Sequence, residues 1–283
     1  MPNLPNIFVI GSAKAATSSL AEYLNQYDEI FVSPLKEPHY WSEDFPIPRL
    51  RILITEKNKA NYMKMYDVEQ RLRLDASTSY ICSFNASTQI GNIVDSKVIM
   101  IARDPVDRYI SHYRNDLSAG VEPRSIEQAI LDDTHDGLIQ YSYFDYGRYA
   151  THLKRWLKSV KKTSILCVDY EALVQSTNIT IPKIMDFLGI VYNSSIEFPK
   201  SNQSFIPRNG TWKKVMQMHR TRTFIRNIVP MWGKDLLRKK VIYRSGKDII
   251  PEEYECRKKL LHLYRDEMIE FSEVLKGCQS IGE

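Results

Sequence analysis

Ile7-Phe8-Val9-Ile10-Gly11-Ser12-Ala13-Lys14-Ala15-Ala16-Thr17-Ser18-Ser19-Leu20 decides how this chain is read. An apolar run of strand character enters a small-residue turn with one lysine, and three hydroxyls then open an amphipathic segment. A strand-turn-helix of this kind leaves free N–H groups at a helix N-terminus, where the helix dipole also favours negative charge. Gly11, Ala15 and Ala16 supply backbone to such a phosphate cradle, and Lys14 with the hydroxyls of Thr17, Ser18 and Ser19 completes it. The spacing differs from the common nucleotide loop G-x-x-x-x-G-K-[ST]. Here the lysine follows Gly11 by three residues and Ala16 stands directly before the hydroxyls. Taken alone, the segment also reads as an ordinary first strand and turn with a solvated Lys14.

At 283 residues the chain can bury a full core, as one domain or one with a helical annex. Its 43% apolar and 26% charged residues exclude a disordered chain and a membrane protein. No apolar run approaches the roughly 18 residues of a membrane helix. Met1-Pro2-Asn3-Leu4-Pro5 leads straight into the first strand, so no secretory leader is expected and the expected location is cytoplasmic. Cys82, Cys167, Cys256 and Cys278 lack metal-ligand spacing, and Cys167 reads as a buried thiol. The net charge of +5 is dispersed and no nucleic-acid reading motif accompanies it. An anionic nucleotide accounts for the basic residues more economically.

Strand-like runs fall at 6–10, 29–32, 72–75, 97–102 and 164–168. Helical periodicity falls at about 18–27, 56–66, 105–118, 146–158 and 178–188. The alternation predicts an α/β fold with a central parallel sheet flanked by helices. Residues 193–211 read as a loop, and 212–229 and 253–275 as additional C-terminal helices.

Lys97-Val98-Ile99-Met100-Ile101-Ala102 is a second strongly apolar strand, and it runs into Arg103-Asp104-Pro105. Pro105 suits the first turn of a helix, which then carries Arg108, Ser111 and His112 within one turn of each other. In an open α/β sheet the C-terminal strand ends form the ligand crevice. Arg103 and Ser111 are therefore candidates for a second phosphate, against the alternative of an arginine that merely caps the sheet.

With these segments in place, the sequence resembles the sulfotransferases that use 3′-phosphoadenosine 5′-phosphosulfate (PAPS), especially the heparan sulfate sulfotransferase branch and its bacterial relatives. The family's 5′-phosphosulfate segment aligns with Gly11, Lys14, Thr17, Ser18 and Leu20. Its 3′-phosphate segment aligns with Arg103-Asp104-Pro105, Arg108 and Ser111-His112-Tyr113. Gly147-Arg148-Tyr149, Leu153 to Trp156, Leu166 to Leu173 and Ile184 to Ile190 add support over residues 6–212. The resemblance implies a P-loop-like sulfotransferase fold, with 1–283 a single sulfotransferase domain and 212–283 its mostly helical C-terminal portion. It also implies PAPS as donor, adenosine 3′,5′-bisphosphate (PAP) as product, and no required metal. One departure is Ala16, where the family commonly has glycine. An alanine there predicts a helical or bridge backbone.

Sulfuryl transfer needs a deprotonated nucleophile, a sulfur held in line and charge stabilisation on the leaving phosphate oxygen. Lys14 is the candidate for that oxygen. The base is expected in Ser33-Pro34-Leu35-Lys36-Glu37-Pro38-His39-Tyr40-Trp41. Glu37 matches the general base of the resembling branch, a carboxylate being suited to remove an alcohol or amine proton. The alternative is a Glu37 paired with Lys36 or a nearby arginine. His39, whose unperturbed pKa suits the task, is the second candidate or an orienter of the acceptor. Arg208-Asn209-Gly210 resembles the basic glycine loop that closes over the 3′-phosphate.

The Asp75-Ala76-Ser77-Thr78-Ser79-Tyr80 segment lacks the lysine of heparan-type relatives, with Asp75 near its place. Ser77, Thr78 and Tyr80 are expected to line the acceptor pocket. The aromatic run 141–149 and Asp132, Asp133 and Asp136 are read as enclosing a compact neutral or cationic acceptor, against the alternatives of aromatics that pack a helical subdomain on the sheet and a solvated acidic run. The expected acceptor is thus a hydroxyl or amine of a small metabolite or natural product, with a carbohydrate or glycolipid as the alternative. No nucleic-acid or membrane partner is expected, and either a monomer or a homodimer fits.

Overall fold

Strand β1 (Ile7–Gly11) is buried along its whole length, as a central strand covered on both faces must be. After it come α1 (Thr17–Leu24), β2 (Ile30–Val32), α2 (Glu56–Met65), β3 (Leu72–Ala76), α3 (Phe84–Gly91) and β4 (Lys97–Ala102). Helices α4 (Pro105–Ser118), α5 (Ile126–His135) and α6 (Tyr149–Ser159) lead to β5 (Ile165–Asp169) and to α7 (Tyr170–Gln175) and α8 (Thr177–Leu188). The chain closes with β6 (Phe205–Pro207), β7 (Tyr243–Ser245), α9 (Pro251–Leu275) and β8 (Gln279–Ile281). This computed structural model describes residues 4–45, 56–119, 121–135, 143–199, 205–207, 243–245 and 251–282.

The main sheet has the order β2-β3-β1-β4-β5-β8, and every pairing in it is parallel. β6 and β7 form a separate antiparallel pair. From β1 the chain first builds outward through β2 and β3, then crosses to β4 on the other side. The order therefore reverses at β1, and the segments following β1, β2, β3 and β4 all emerge at one edge of the sheet.

Side chains alternate between two cores, as strand geometry dictates. Ile7, Val9, Ile99, Ile101 and Val168 face α1 and α8, through Leu20, Leu24, Ile181 and Leu188. Phe8, Ile10, Val98, Met100 and Cys167 face the other way, onto Ala86 and Ile90 of α3 and Leu153 and Trp156 of α6. A third cluster joins α4, α5 and α9 through Tyr109, Tyr113, Ile130, Leu260 and Tyr264.

The five strands expected from sequence lie within one residue of their expected bounds. Helix α4 starts where Pro105 predicts, capped by the Asp104 carboxylate accepting the Asp107 N–H at 2.8 Å. The helix expected at 253–275 begins slightly earlier, at Pro251. The sequence reading missed α3, α5, α7, β6, β7 and β8, with β6 inside the stretch 193–211 that was read as a loop. β8 carries no apolar run of its own, and its pairing with β5 makes it a strand. The helix expected at 212–229 lies outside the described residues. Among those described, no helix is long and apolar enough to cross a membrane.

Candidate active site

The turn after β1 is built on unusual backbone. Gly11 has φ 149°, and a Cβ there would lie 3.0 Å from Ile81 Cβ, so both conformation and space require glycine. Lys14 (φ 70°) and Ala16 (φ 61°, ψ 18°) occupy the left-handed region. The sequence reading expected a helical or bridge backbone at Ala16, and this is corrected. Alanine holds the conformation that glycine would adopt freely, at a cost of about 1–2 kcal/mol. Strain of this kind persists where the surroundings over-determine it, typically at functional sites. Ala15 is fully buried beneath the turn. Helix α1 then begins with no side-chain cap and no acidic residue in its first turn. Its leading N–H groups, at Thr17, Ser18 and Ser19, suit an anion.

Lys14 is half-buried and its Nζ donates to Asn115 Oδ1 at 3.2 Å. Burial lowers its pKa, helped by Lys36 and Arg103 and opposed by Asp116 and Glu37. The ammonium is thus short of compensating negative charge. Arg103, at the end of β4, donates from Nη1 to the Lys14 carbonyl at 3.0 Å and lies 4.5 Å over the Tyr170 ring. Its buried Nε has no hydrogen-bond partner among the described residues. An orphaned guanidinium donor beside an uncapped helix start is what an anionic ligand would explain. The Tyr149 hydroxyl joins the two strand ends, lying 3.1 Å from Ser12 Oγ and accepting the Arg103 N–H at 3.4 Å. Ser111 lies one turn before Asn115 on α4, so both share the face that meets Lys14.

Arg108 is not part of this arrangement. It is fully buried, donates to the Tyr143 carbonyl, and its Nη1 donates to His112 Nδ1 at 3.3 Å. Burial, then Arg108 and Lys14, hold His112 well below the usual histidine range. Arg208, Asn209 and Gly210 lie outside the described residues; β6, ending at Pro207 just before them, packs against α4.

The segment after β2 brings Glu37 to the same edge. Glu37 (φ 51°) and His39 (φ 54°) are also left-handed. Glu37 Oε2 accepts from Thr78 Oγ1 at 2.9 Å and lies 3.3 Å from His39 Nε2. His39 Nδ1 lies 2.6 Å from Ser79 Oγ, which contacts Ser42 Oγ at 2.7 Å. Burial lowers the His39 pKa despite the opposing pull of Glu37. A neutral imidazole with its proton on Nε2, accepting from Ser79 at Nδ1, satisfies both contacts. Both ring nitrogens of His39 are thereby engaged, while Glu37 Oε1 has no hydrogen bond among the described residues.

The residues expected to enclose an acceptor are differently employed. Asp132 accepts from Arg124 at 2.9 Å and Gln128 at 2.6 Å, and Asp133 accepts the Phe144 N–H at 3.1 Å. Tyr143 is buried and donates to Glu122 at 2.9 Å, and Phe144 stacks on Tyr264 at 4.5 Å. These groups hold the α4–α5 corner against α9; Asp136, Tyr141 and Ser142 lie outside the described residues. Tyr80 is also buried, donating to Asp75 at 2.8 Å, so it lines no pocket. Cys82, Asp145 and His152 come within 4.8 Å of one another. However, His152 Nε2 donates to the Asp145 carbonyl at 2.7 Å and Nδ1 accepts from Arg155 at 2.9 Å, leaving no ring lone pair for a metal. The sequence reading missed Asn115, Tyr170 and the linking role of Tyr149. Asn115 was the most accessible of these, because it repeats Ser111 at the helical interval of four.

Residues 4–244 match the sulfotransferase domain family. Over 192 residues the chain is 29% identical to heparan sulfate glucosamine 3-O-sulfotransferase 3A1 of Mus musculus, covering 66% of this chain and 46% of that protein. It is 24% identical to the Mus musculus bifunctional heparan sulfate N-deacetylase/N-sulfotransferase 4, covering 96% of this chain and 30% of the relative. The matched region thus spans less than half the length of these relatives. Among solved structures, a sulfotransferase from Alicyclobacillus acidocaldarius superposes with a TM-score of 0.69 at 20% identity, over 96% of both chains.

Proposed function

From the premise that this chain belongs to the sulfotransferase domain family, we propose that it transfers the sulfuryl group of PAPS to a hydroxyl or amine of a carbohydrate. The observation that carries this reading is the clamp between the two strand ends. Arg103 binds the Lys14 carbonyl at 3.0 Å and keeps an unused donor, while the base segment brings a carboxylate to the same edge. The carbohydrate acceptor rests on the relatives, both of which are named for heparan sulfate. Asp132 and Asp133, read as part of a small-metabolite pocket, instead accept hydrogen bonds within the α4–α5 corner, which removes one of the grounds for a small-metabolite acceptor. The segment 75–80 carries no cation, which favours a sugar of low charge over a polyanionic chain.

The bound donor supplies an electrophilic sulfur joined to a phosphate leaving group. The N–H groups opening α1, with Thr17 and Ser18, hold the 5′-phosphate, and Arg103 and Ser111 hold the 3′-phosphate. Glu37 takes the proton from the attacking oxygen or nitrogen as its bond to sulfur forms. His39 fixes the carboxylate's orientation through Nε2. Lys14, turning away from Asn115, neutralises charge on the departing phosphate oxygen as the bond from sulfur to that oxygen breaks.

Calorimetry with PAP and with adenosine 5′-monophosphate tests the donor site, and weaker binding of the monophosphate is expected. Equal affinities would remove Arg103 and Ser111 from the 3′-phosphate. Isotope-labelled PAPS offered with neutral oligosaccharides, heparan-like oligosaccharides and small alcohols tests the acceptor. Preferential labelling of the small alcohols would overturn the carbohydrate reading.

A further inference from the structure

Glu37 and His39 hold left-handed conformations that neither residue favours, on a segment outside regular secondary structure. Something must therefore fix that segment, and two hydrogen-bond relays reach it from one buried group. Asp75, near the end of β3, is fully buried and meets no cationic partner among the described residues. Its Oδ1 accepts from Ser77 Oγ at 2.7 Å. Its Oδ2 accepts from Tyr62 at 2.7 Å and Tyr80 at 2.8 Å.

A carboxylate is acceptor-only, so each of these hydroxyls spends its proton on Asp75. Ser77 then has lone pairs to offer, and its Oγ accepts the His39 backbone N–H at 3.0 Å. Tyr62 likewise accepts Trp41 Nε1–H at 3.2 Å, and its ring stacks on Tyr40 at 4.0 Å. Both relays run in one direction and end on the Glu37–Trp41 segment, at His39 and Trp41 on either side of Tyr40.

We infer that Asp75 is the positioning residue of the reaction: as a carboxylate it sets the donor direction of the Ser77 and Tyr62 relays and thereby holds Glu37 in its reactive placement. This rests on the sulfuryl-transfer reading above and deepens it. It also gives the acidic residue at this position a use that acceptor recognition does not. Burial lifts its pKa to about 6, so the group stays ionised at neutral pH. The groups facing it are Tyr62 of α2, Tyr66 just after that helix, Ser77 and Tyr80 from the turn after β3, and Glu37.

Asp75→Asn keeps the shape but places an NH₂ donor among three donors. Turnover at saturating donor and acceptor should fall by about tenfold or more, the order expected when a reacting group is displaced by a fraction of an ångström. PAP affinity, read by calorimetry, should stay within about twofold, because the phosphate turn does not depend on either relay. The decisive comparison is the same substitution in an E37Q background. There Asp75→Asn should change turnover by less than about twofold, because the base it positions is already gone. An equal loss in both backgrounds, or unchanged turnover in the single variant, overturns the inference. Should Asp75→Asn fail to fold, Ser77→Ala removes one relay alone and should show the same dependence on Glu37; independence there overturns it equally. An unaltered protein that does not bind PAP would instead refute the sulfotransferase reading itself.

Discussion

The phosphate turn and the base segment meet at one edge of the sheet, and both place non-glycine residues in left-handed backbone, yet they are held in different ways. Lys14 and Ala16 sit in the five residues Ser12–Ala16, whose backbone is fixed by β1 on one side and α1 on the other. Their donors are left largely unspent: α1 has no side-chain cap and Arg103 Nε has no partner among the described residues. The base segment is the reverse. Glu37 and His39 are held by side chains from β3 and the turn after it, and nearly every polar atom is matched. The first region is pre-organised to receive charge, with its desolvation already incurred. The second is arranged so that one carboxylate oxygen remains free to take a proton.

That difference can be broken from either side. Glu37→Gln should cost the most, about 10²–10⁴-fold in turnover, the usual range for losing a general base. PAP affinity should be nearly unchanged, since the proposed phosphate contacts use none of this segment. Parallel turnover and calorimetric measurements check this, and a normal rate in Glu37→Gln with a large loss in His39→Ala would transfer the base to His39. Lys14→Ala should cost about 10²–10³-fold in turnover. Unlike Glu37→Gln it should also weaken PAP, by about tenfold, as one charge-assisted contact is lost. A variant that loses turnover but binds PAP normally would confine Lys14 to the transition state.

Acid-base linkage distinguishes the regions next. The Asp75 carboxyl is pushed up from 3.8 to about 6, by burial first and then Glu37, so the folded chain holds its proton more tightly than the unfolded chain does. Its favourable contribution is complete below about pH 4 and is lost as pH rises through 6, an effect of about 3 kcal/mol. His152 acts in the opposite sense. Burial lowers it from 6.5 to about 4, so its contribution is complete above pH 6.5 and fades as pH falls toward 4. The two partly cancel in the unaltered protein. Denaturant unfolding of the wild type minus Asp75→Asn isolates the first: the wild type should become relatively less stable between pH 4 and 6, and a flat difference would refute the assignment. The smallest expected effect is at the phosphate turn. Ala16→Gly relieves left-handed strain of about 1–2 kcal/mol but adds unfolded-chain entropy of about 0.4–1 kcal/mol. A net stabilisation of about 0.5–1 kcal/mol in thermal or denaturant unfolding should follow.

How much of this was legible in the sequence depended on how far apart the partners lie. The phosphate turn was readable because the apolar run, the glycine and the hydroxyls are contiguous. The same holds for α4, whose cap and first-turn proline are neighbours. Glu37 was identified with its segment, but the contacts that hold it come from residues 41 positions away. The Lys14–Asn115 contact spans 101 positions.

By itself, the sequence determined the alternation of strands and helices, the glycine at the head of the turn, and a lysine, an arginine and a glutamate set at three different strand ends. These follow from local chirality, side-chain period and helix-end chemistry, which act over a few residues. The tertiary structure alone decided which charges remain available. It turned Arg108 inward onto the Tyr143 carbonyl and His112 while setting Arg103 against the Lys14 carbonyl, and it engaged both nitrogens of His39. It tied Asp132 and Asp133 into the α4–α5 corner and made β8 a strand. The physical reason is that burial and hydrogen-bond partnership belong to pairs of groups brought together by the fold, and a side chain's own identity does not say whether its partner will be water, a neighbour or a ligand.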